Sequence, residues 1–155
     1  EMLRAGERGG SATERHLDPH PRVREGLALA AARLPTAMID VSDGVTADLG
    51  HILDNSLVGG SLYLYKIPLS PFFRNKCKPL SDGALALALA GGEDYELLFT
   101  APSAKAEDVF SLFAPFGTAV TVIGEITAGS GLTIISERGG NRDLPETGFD
   151  HFRRS

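Results

Sequence analysis

Three aspartates crowd the stretch Ala37 to His51, AMIDVSDGVTADLGH. Asp40, Asp43 and Asp48 stand there with Ser42 and Gly44, directly after a short apolar run. Like charges this close repel, and one carboxylate is enough to cap a helix. A turn that gathers hard oxygen donors suits Mg²⁺, which takes one or two carboxylates together with phosphate oxygens and water. The amides at the N-terminus of the helix that follows suit the phosphates themselves. Asp40 closes the apolar run and Asp43 opens the helix, so both fall at the C-terminal end of a strand, where open α/β folds keep their ligands. The structural reading is that Ser42 or Asp43 caps the helix; it accounts for Asp43 and leaves Asp40 unexplained. Asp48, one turn further on, reads as a solvated or locally bonded helix residue, and His51 as structural.

Two further stretches stand out. GGEDYELLF, Gly91 to Phe99, puts Glu93 and Asp94 directly after a Gly-Gly helix end. Acids are disfavoured beside the negative end of a helix dipole. They either face water or meet a cation or a donor-rich ligand. GFDHF, Gly148 to Phe152, sets two phenylalanines around Asp150 in an irregular tail, a plausible lid. His151 has no other histidine at metal-ligand spacing, and Cys77 reads as a loop thiol with no base beside it.

The elements that must position these residues alternate. The opening to about Glu14 is polar and Gly-rich, as in a linker. Pro19 and Pro21 force an extended run before an Ala/Leu-rich helix to about Leu34, which Pro35 stops. TAMID is a short buried strand. SDGVTADLGHILDNS is a helix with Val45, Leu49, Ile52 and Leu53 on one face. VGGSLYLYKIPLS gives a turn and a strand with Leu62, Leu64 and Ile67 inward, and Pro71 to Pro79 is irregular. SDGALALALAGG is a helix closed by glycines. EDYELLFTAP is a strand, and SAKAEDVFSLFAPFG a helix with Ser103 as N-cap. TAVTVIGEI and GLTIISERG form a hairpin across TAGSG. The expected class is α/β, as an α+β sandwich whose mixed sheet is covered by helices.

Composition narrows the function classes. The chain has 155 residues and a formal net charge of −5, which argues against a nucleic-acid partner. One cysteine excludes an internal disulfide and a thiolate zinc cluster and fits a cytoplasmic location. No apolar run reaches membrane-spanning length, so no membrane role is expected. The chain starts on Glu1 rather than Met, which reads as a piece of something longer.

IDVSDG, GGEDYELLFT and GFDHF, in this order, resemble the C-terminal half of the thiamine-monophosphate kinases, within the aminoimidazole ribonucleotide synthetase-like superfamily. RHLDPHPR, Arg15 to Arg22, is similar to that family's interdomain segment. The resemblance runs from about Arg15 to Phe152, with Val41 and Val45 where Ile or Leu is commoner. IDVSDG alone fits the wider superfamily; the other two motifs are more specific. The resemblance implies a fold related to the ferredoxin-like arrangement. Residues 1–17 would be the linker from an N-terminal ATP-binding domain, and 18–155 the C-terminal α/β domain. It also implies transfer of the ATP γ-phosphoryl group to thiamine monophosphate with several Mg²⁺ ions. Asp40 and Asp43 would be Mg²⁺ ligands, Ser42 an ATP contact, and Glu93 and Phe149 substrate contacts. No catalytic acid or base is implied, because the acceptor phosphate is already anionic. The family's "GGDT"-like loop and dimer interface belong to the N-terminal domain, so the complete enzyme would be a homodimer through it and this domain alone inactive. The alternatives are another ATP-dependent synthetase of the superfamily, or a non-catalytic ligand-binding module.

Overall fold

The computed structural model describes residues 18–70, 89 and 91–136. The expected linker over residues 1–17, the irregular segment with Cys77, all but Leu89, Gly91 and Gly92 of the helix over 81–92, and the tail with Phe149, Asp150 and His151 lie outside the described residues.

The first helix, α1 (Val23–Ala32), starts two residues after Pro21 and is closed by Arg33 in the left-handed conformation, two residues before Pro35. Strand β1 (Ala37–Asp40) leads into helix α2 (Val45–Ser56). Strand β2 (Gly59–Tyr63) then tightens into a 3₁₀ turn, Leu64–Lys66. After strand β3 (Leu97–Thr100), a 3₁₀ turn at Ser103–Lys105 runs into helix α3 (Ala106–Phe113), and strands β4 (Gly124–Thr127) and β5 (Gly131–Ile135) follow. Ser103 makes no side-chain cap bond; it opens the 3₁₀ turn instead of capping the α-helix. Among the described residues no helix is long and apolar enough to cross a membrane.

The sheet pairing is mixed, as the alternation of helices and strands implies. β1 runs antiparallel to β3, with Ala37 opposite Thr100 and Asp40 opposite Leu97. The other three strands are ordered β4-β2-β5, with β2 antiparallel to β4 and parallel to β5. The hairpin expected of the last two strands is therefore not formed: β2 lies between them. Gly59 faces Thr127 on one side and Gly131 on the other, so the turn between β4 and β5 wraps around the start of β2. Alternation in sequence reports which face of a strand is apolar; it does not say which strand is the neighbour.

β3 divides the interior. Leu98 faces one apolar cluster with Leu49, Ile52 and Leu53 of α2, Leu62, Leu64 and Ile134. Leu97 and Phe99, on the opposite face as a strand's period of two requires, pack on Leu29 of α1 and on Val109 and Phe113 of α3. The Phe99 and Phe113 rings stack at 6.2 Å between centroids. Leu62, Leu64 and Ile67 are all buried as expected, although the strand ends at Tyr63; the 3₁₀ turn keeps the last two pointing inward. All three belong to the same apolar cluster as Leu49, Ile52 and Leu53 of α2.

One buried charge ties α1 to the loop after α3. The Thr118 hydroxyl donates to Glu25 Oε1 at 2.7 Å, and Arg22 Nη1 stands 3.6 Å from the same oxygen. The Thr118 hydrogen bond, opposed by burial and helped by Arg22, holds the Glu25 carboxyl below its usual range. A depressed carboxyl stabilises the fold above its unfolded pKa, and that contribution fades as pH falls through the folded value. Thr118→Val should therefore lower stability at pH 7 by about 1.5 kcal/mol. Denaturant titrations at a series of pH values should show the deficit shrinking once the solution is more acidic than the ordinary glutamate range. A deficit of constant size would mean that Thr118 acts through packing.

Candidate functional site

The β1–β3 ladder does not stop where the strands do. Beyond Asp40, the Val41 N–H donates to Glu96 O at 2.8 Å and the Tyr95 N–H to Val41 O at 2.9 Å. The Glu93 N–H then donates to Ser42 O at 2.9 Å. Three backbone bonds thus zip the IDVSDG loop to the GGEDYE loop. The expected strand over 93–102 is shortened to Leu97–Thr100, and at its start Glu93 and Tyr95 take positive φ, 69° and 50°. Such conformations cost non-glycine residues on the order of 1 kcal/mol each and persist only where the surroundings enforce them. Gly92 is part of that enforcement. A Cβ there would run into the Ser42 carbonyl oxygen, so this glycine permits close approach, beyond the helix-ending role read from sequence.

The start of α2 is held in an unexpected way. Its N-cap position is Gly44, φ 111°, which has no side chain to cap with. Asp48, in the first turn, reaches back. Its Oδ2 accepts from the Ser42 N–H at 2.9 Å and from the Asp43 N–H at 3.1 Å. Asp48 is 1% exposed. Of the two readings open for it, local bonding is right and solvation is wrong. A carboxylate near a helix N-terminus is favoured by the dipole, and two amide donors satisfy it in place of water.

One ligand atom from each of Asp43, Asp48 and His51 lies within 4.8 Å of the other two. Asp43 is half-buried and His51 exposed. The two carboxylates suit a hard divalent cation such as Mg²⁺; the imidazole suits it poorly. Asp40 is exposed at the end of β1 and is not one of the three. The sequence-predicted residues Ser42, Asp43 and Glu93 are brought together at the zipped loops, with Asp40 at their edge. Phe149 lies outside the described residues.

The remaining acids of the second loop are handled separately. Glu96 takes a two-pronged contact from Arg22, with Nε at 2.8 Å and Nη2 at 2.9 Å. This joins the RHLDPHPR segment to GGEDYE. Asp94 is raised above the usual carboxylate range by surrounding protein that thins its hydration, and secondarily by the charge of Glu96. The positions that sequence reasoning missed as site builders are Arg22, Asp48 and Gly92. A signal existed for Asp48, an acid in the first turn of a helix, but the same pattern occurs on solvated helices.

Residues 3–137 match the family described as AIR synthase related protein, C-terminal domain. The chain belongs to this family. Among curated relatives of this AIR synthase related C-terminal domain, the thiamine-monophosphate kinase of Escherichia coli K12 is 39% identical over 140 residues, covering 90% of this chain and 42% of its own. That of Haemophilus influenzae is 37% identical, covering 92% and 43%. The solved thiamine-monophosphate kinase from Stenotrophomonas maltophilia K279a aligns at TM-score 0.77 and 34% identity, over 86% of this chain and 44% of that one. AaThiL complexed with AMPPCP and TMP aligns at TM-score 0.74 and 30% identity, over 97% and 45%. The chain thus spans less than half the length of the relatives it matches. Escherichia coli HypE, at 21% identity and TM-score 0.71, shares the fold.

The close approach at Gly92 gives a direct check. Gly92→Ala should cost about 1–3 kcal/mol, because the added methyl must separate two loops joined by backbone bonds. A denaturation midpoint equal to that of the wild type would show that the loops are not in contact in solution.

Proposed function

We propose that this chain is the C-terminal half of a thiamine-monophosphate kinase, which transfers the γ-phosphoryl group of ATP to thiamine monophosphate and yields thiamine diphosphate and ADP. The observation that carries the reading is the zipper between IDVSDG and GGEDYE. It sets the residues expected to meet ATP and metal beside the residue expected to meet the acceptor. The likeness to AaThiL, whose complex holds AMPPCP and TMP, supports it over nearly the whole chain. Relatives with this activity at 37–39% identity favour it over another synthetase of the superfamily or a binding module.

In this reading a non-bridging oxygen of thiamine monophosphate attacks the γ-phosphorus, and the bond to the β–γ bridging oxygen breaks. The attacking oxygen is anionic at neutral pH, so no side chain need remove a proton. The task is to bring two polyanions together in line, which is positioning and charge neutralisation. Mg²⁺, when bound, supplies that neutralisation. Asp43 and Asp40 would hold it. Ser42 would contact ATP from a peptide fixed on both sides. Glu93 would accept a hydrogen bond from the acceptor's aminopyrimidine, and Phe149 would stack on a ring or against the thiazolium cation. Residues 1–17 would link to an N-terminal ATP-binding domain that brings further metal ligands and the homodimer contact. The enzyme would act in the cytoplasm, and this domain alone would not turn over.

In the complete protein, Asp40→Asn and Asp43→Asn should each raise the Mg²⁺ concentration for half-maximal rate and cut kcat about hundredfold. Thermal midpoints should move little. Wild-type Mg²⁺ dependence in both variants would remove the metal assignment. Glu93→Gln should weaken thiamine monophosphate binding about tenfold and leave ATP binding alone, as calorimetric titration of each would show. Equal weakening of both ligands would make Glu93 structural.

A further inference from the structure

The peptide units on either side of Ser42 are gripped from two directions, and one grip comes from a residue with no assigned role. On one side the Asp48 carboxylate takes the Ser42 and Asp43 N–H groups at 2.9 and 3.1 Å. On the other, the Glu93 N–H holds the Ser42 carbonyl at 2.9 Å. Asp48 itself cannot wander: it is 1% exposed, on a helix whose Leu49, Ile52 and Leu53 are all in the core. Its own N–H is fixed in the first helical bond, to Gly44 O at 3.0 Å. The buried face of α2 is therefore connected rigidly, through one side chain, to the backbone that carries Ser42 and Asp43.

We propose that Asp48 is a positioning residue for the phosphoryl-transfer site. It sets the backbone of Ser42 and Asp43, and through the shared Ser42 peptide keeps that loop in register with Glu93. This rests on the kinase reading above, and deepens it. Two other roles compete. As a direct metal ligand, Asp48 would act by its charge, since its carboxylate also borders Asp43 and His51. As a purely structural residue it would support the whole fold and leave the rate per folded molecule unchanged. The positioning role needs an acceptor oxygen at that point more than it needs a negative charge, because what it holds are two N–H groups.

Asparagine and alanine separate these roles. Asn keeps an oxygen of the same reach, whereas Ala removes it. Amide hydrogen exchange on this chain reads the loop directly, and steady-state kinetics of the complete protein read the chemistry. In the wild type, the Ser42 and Asp43 amides should be protected although neither lies within a helix or strand. Asp48→Ala should speed their exchange at least about tenfold relative to Leu53 in the core, reporting local release rather than global unfolding. It should lower kcat about hundredfold per folded molecule, the scale of a 1 Å misplacement. Asp48→Asn should restore most of the protection and at least about tenfold of the lost rate, with a Mg²⁺ requirement well below that of Asp48→Ala. If Asn raises the Mg²⁺ requirement as far as Ala does, Asp48 is a ligand and the proposal fails. If Ala alters exchange everywhere alike, the role is structural and it fails again. Should Asp48→Ala not fold, the wild-type and Asn data decide alone: unprotected Ser42 and Asp43 amides in the wild type overturn the proposal. A complete protein that cannot phosphorylate thiamine monophosphate would sink the kinase reading, while the exchange data would still show whether Asp48 holds the loop.

Discussion

Everything at this site depends on one antiparallel ladder that outlasts its strands. β1 and β3 pair over four residues each, yet their hydrogen bonding continues through Val41 and Ser42 against Glu96, Tyr95 and Glu93. Regular strands need no glycine and no left-handed residues to pair. This extension uses both: Gly92 for close approach, and positive φ at Glu93 and Tyr95. Backbone strain of on the order of 1 kcal/mol per residue would relax if the loop were unrestrained. The ladder on one side and the two apolar clusters that β3 separates on the other prevent it. Core packing, strand register and the placement of Ser42 are consequently one problem.

The acids of this region are disposed of one by one. Asp48 is buried and met by two amides, Glu96 by the guanidinium of Arg22, and Glu25 by the Thr118 hydroxyl. Arg22 and Glu96 are partly exposed, so their pairing contributes modestly to stability, about 1 kcal/mol or less. Its value is geometric, since the planar fork fixes the loop it holds. Asp40, Asp43 and Glu93 stand at or near the surface of the zipped loops. The two buried carboxylates, Asp48 and Glu25, are thus met by donors of the fold itself.

How much of this was legible in the sequence depends on range. The helix from Val23, the strand at Ala37 and the α2 face with Leu49, Ile52 and Leu53 follow from proline positions and apolar period, which are local signals. The order β4-β2-β5 was not legible, because both last strands alternate acceptably whether they pair with each other or with β2. The residues at the zipped loops were marked by unusual chemistry: acids beside glycines at element ends. What held them there was not marked. Gly92 read as a helix stop because a sequence cannot show that the carbonyl of a residue fifty positions earlier presses on its Cα. Asp48 read as an ordinary helical acid because the donors it needs are backbone groups, which every residue has.

Charge then decides what such a corner can accept. The carboxylates of Asp43 and Asp48 approach within 4.8 Å, so like charges stand close together there. Two amide donors relieve the Asp48 side of that repulsion but add no formal positive charge. Against a net charge of −5 for the chain, a polyanion brought to this corner meets like charge unless a cation comes with it. A carboxylate corner at the start of a helix is consequently poor at binding phosphate alone and good at binding phosphate with a divalent ion, since the cation is attracted by the acids and the phosphate by the cation and the helix amides together. In the proposed kinase, such a corner would favour a metal–nucleotide complex over a free anion. It would do so only while Ser42 and Asp43 keep their places, which returns the matter to the ladder and to the buried carboxylate beneath it.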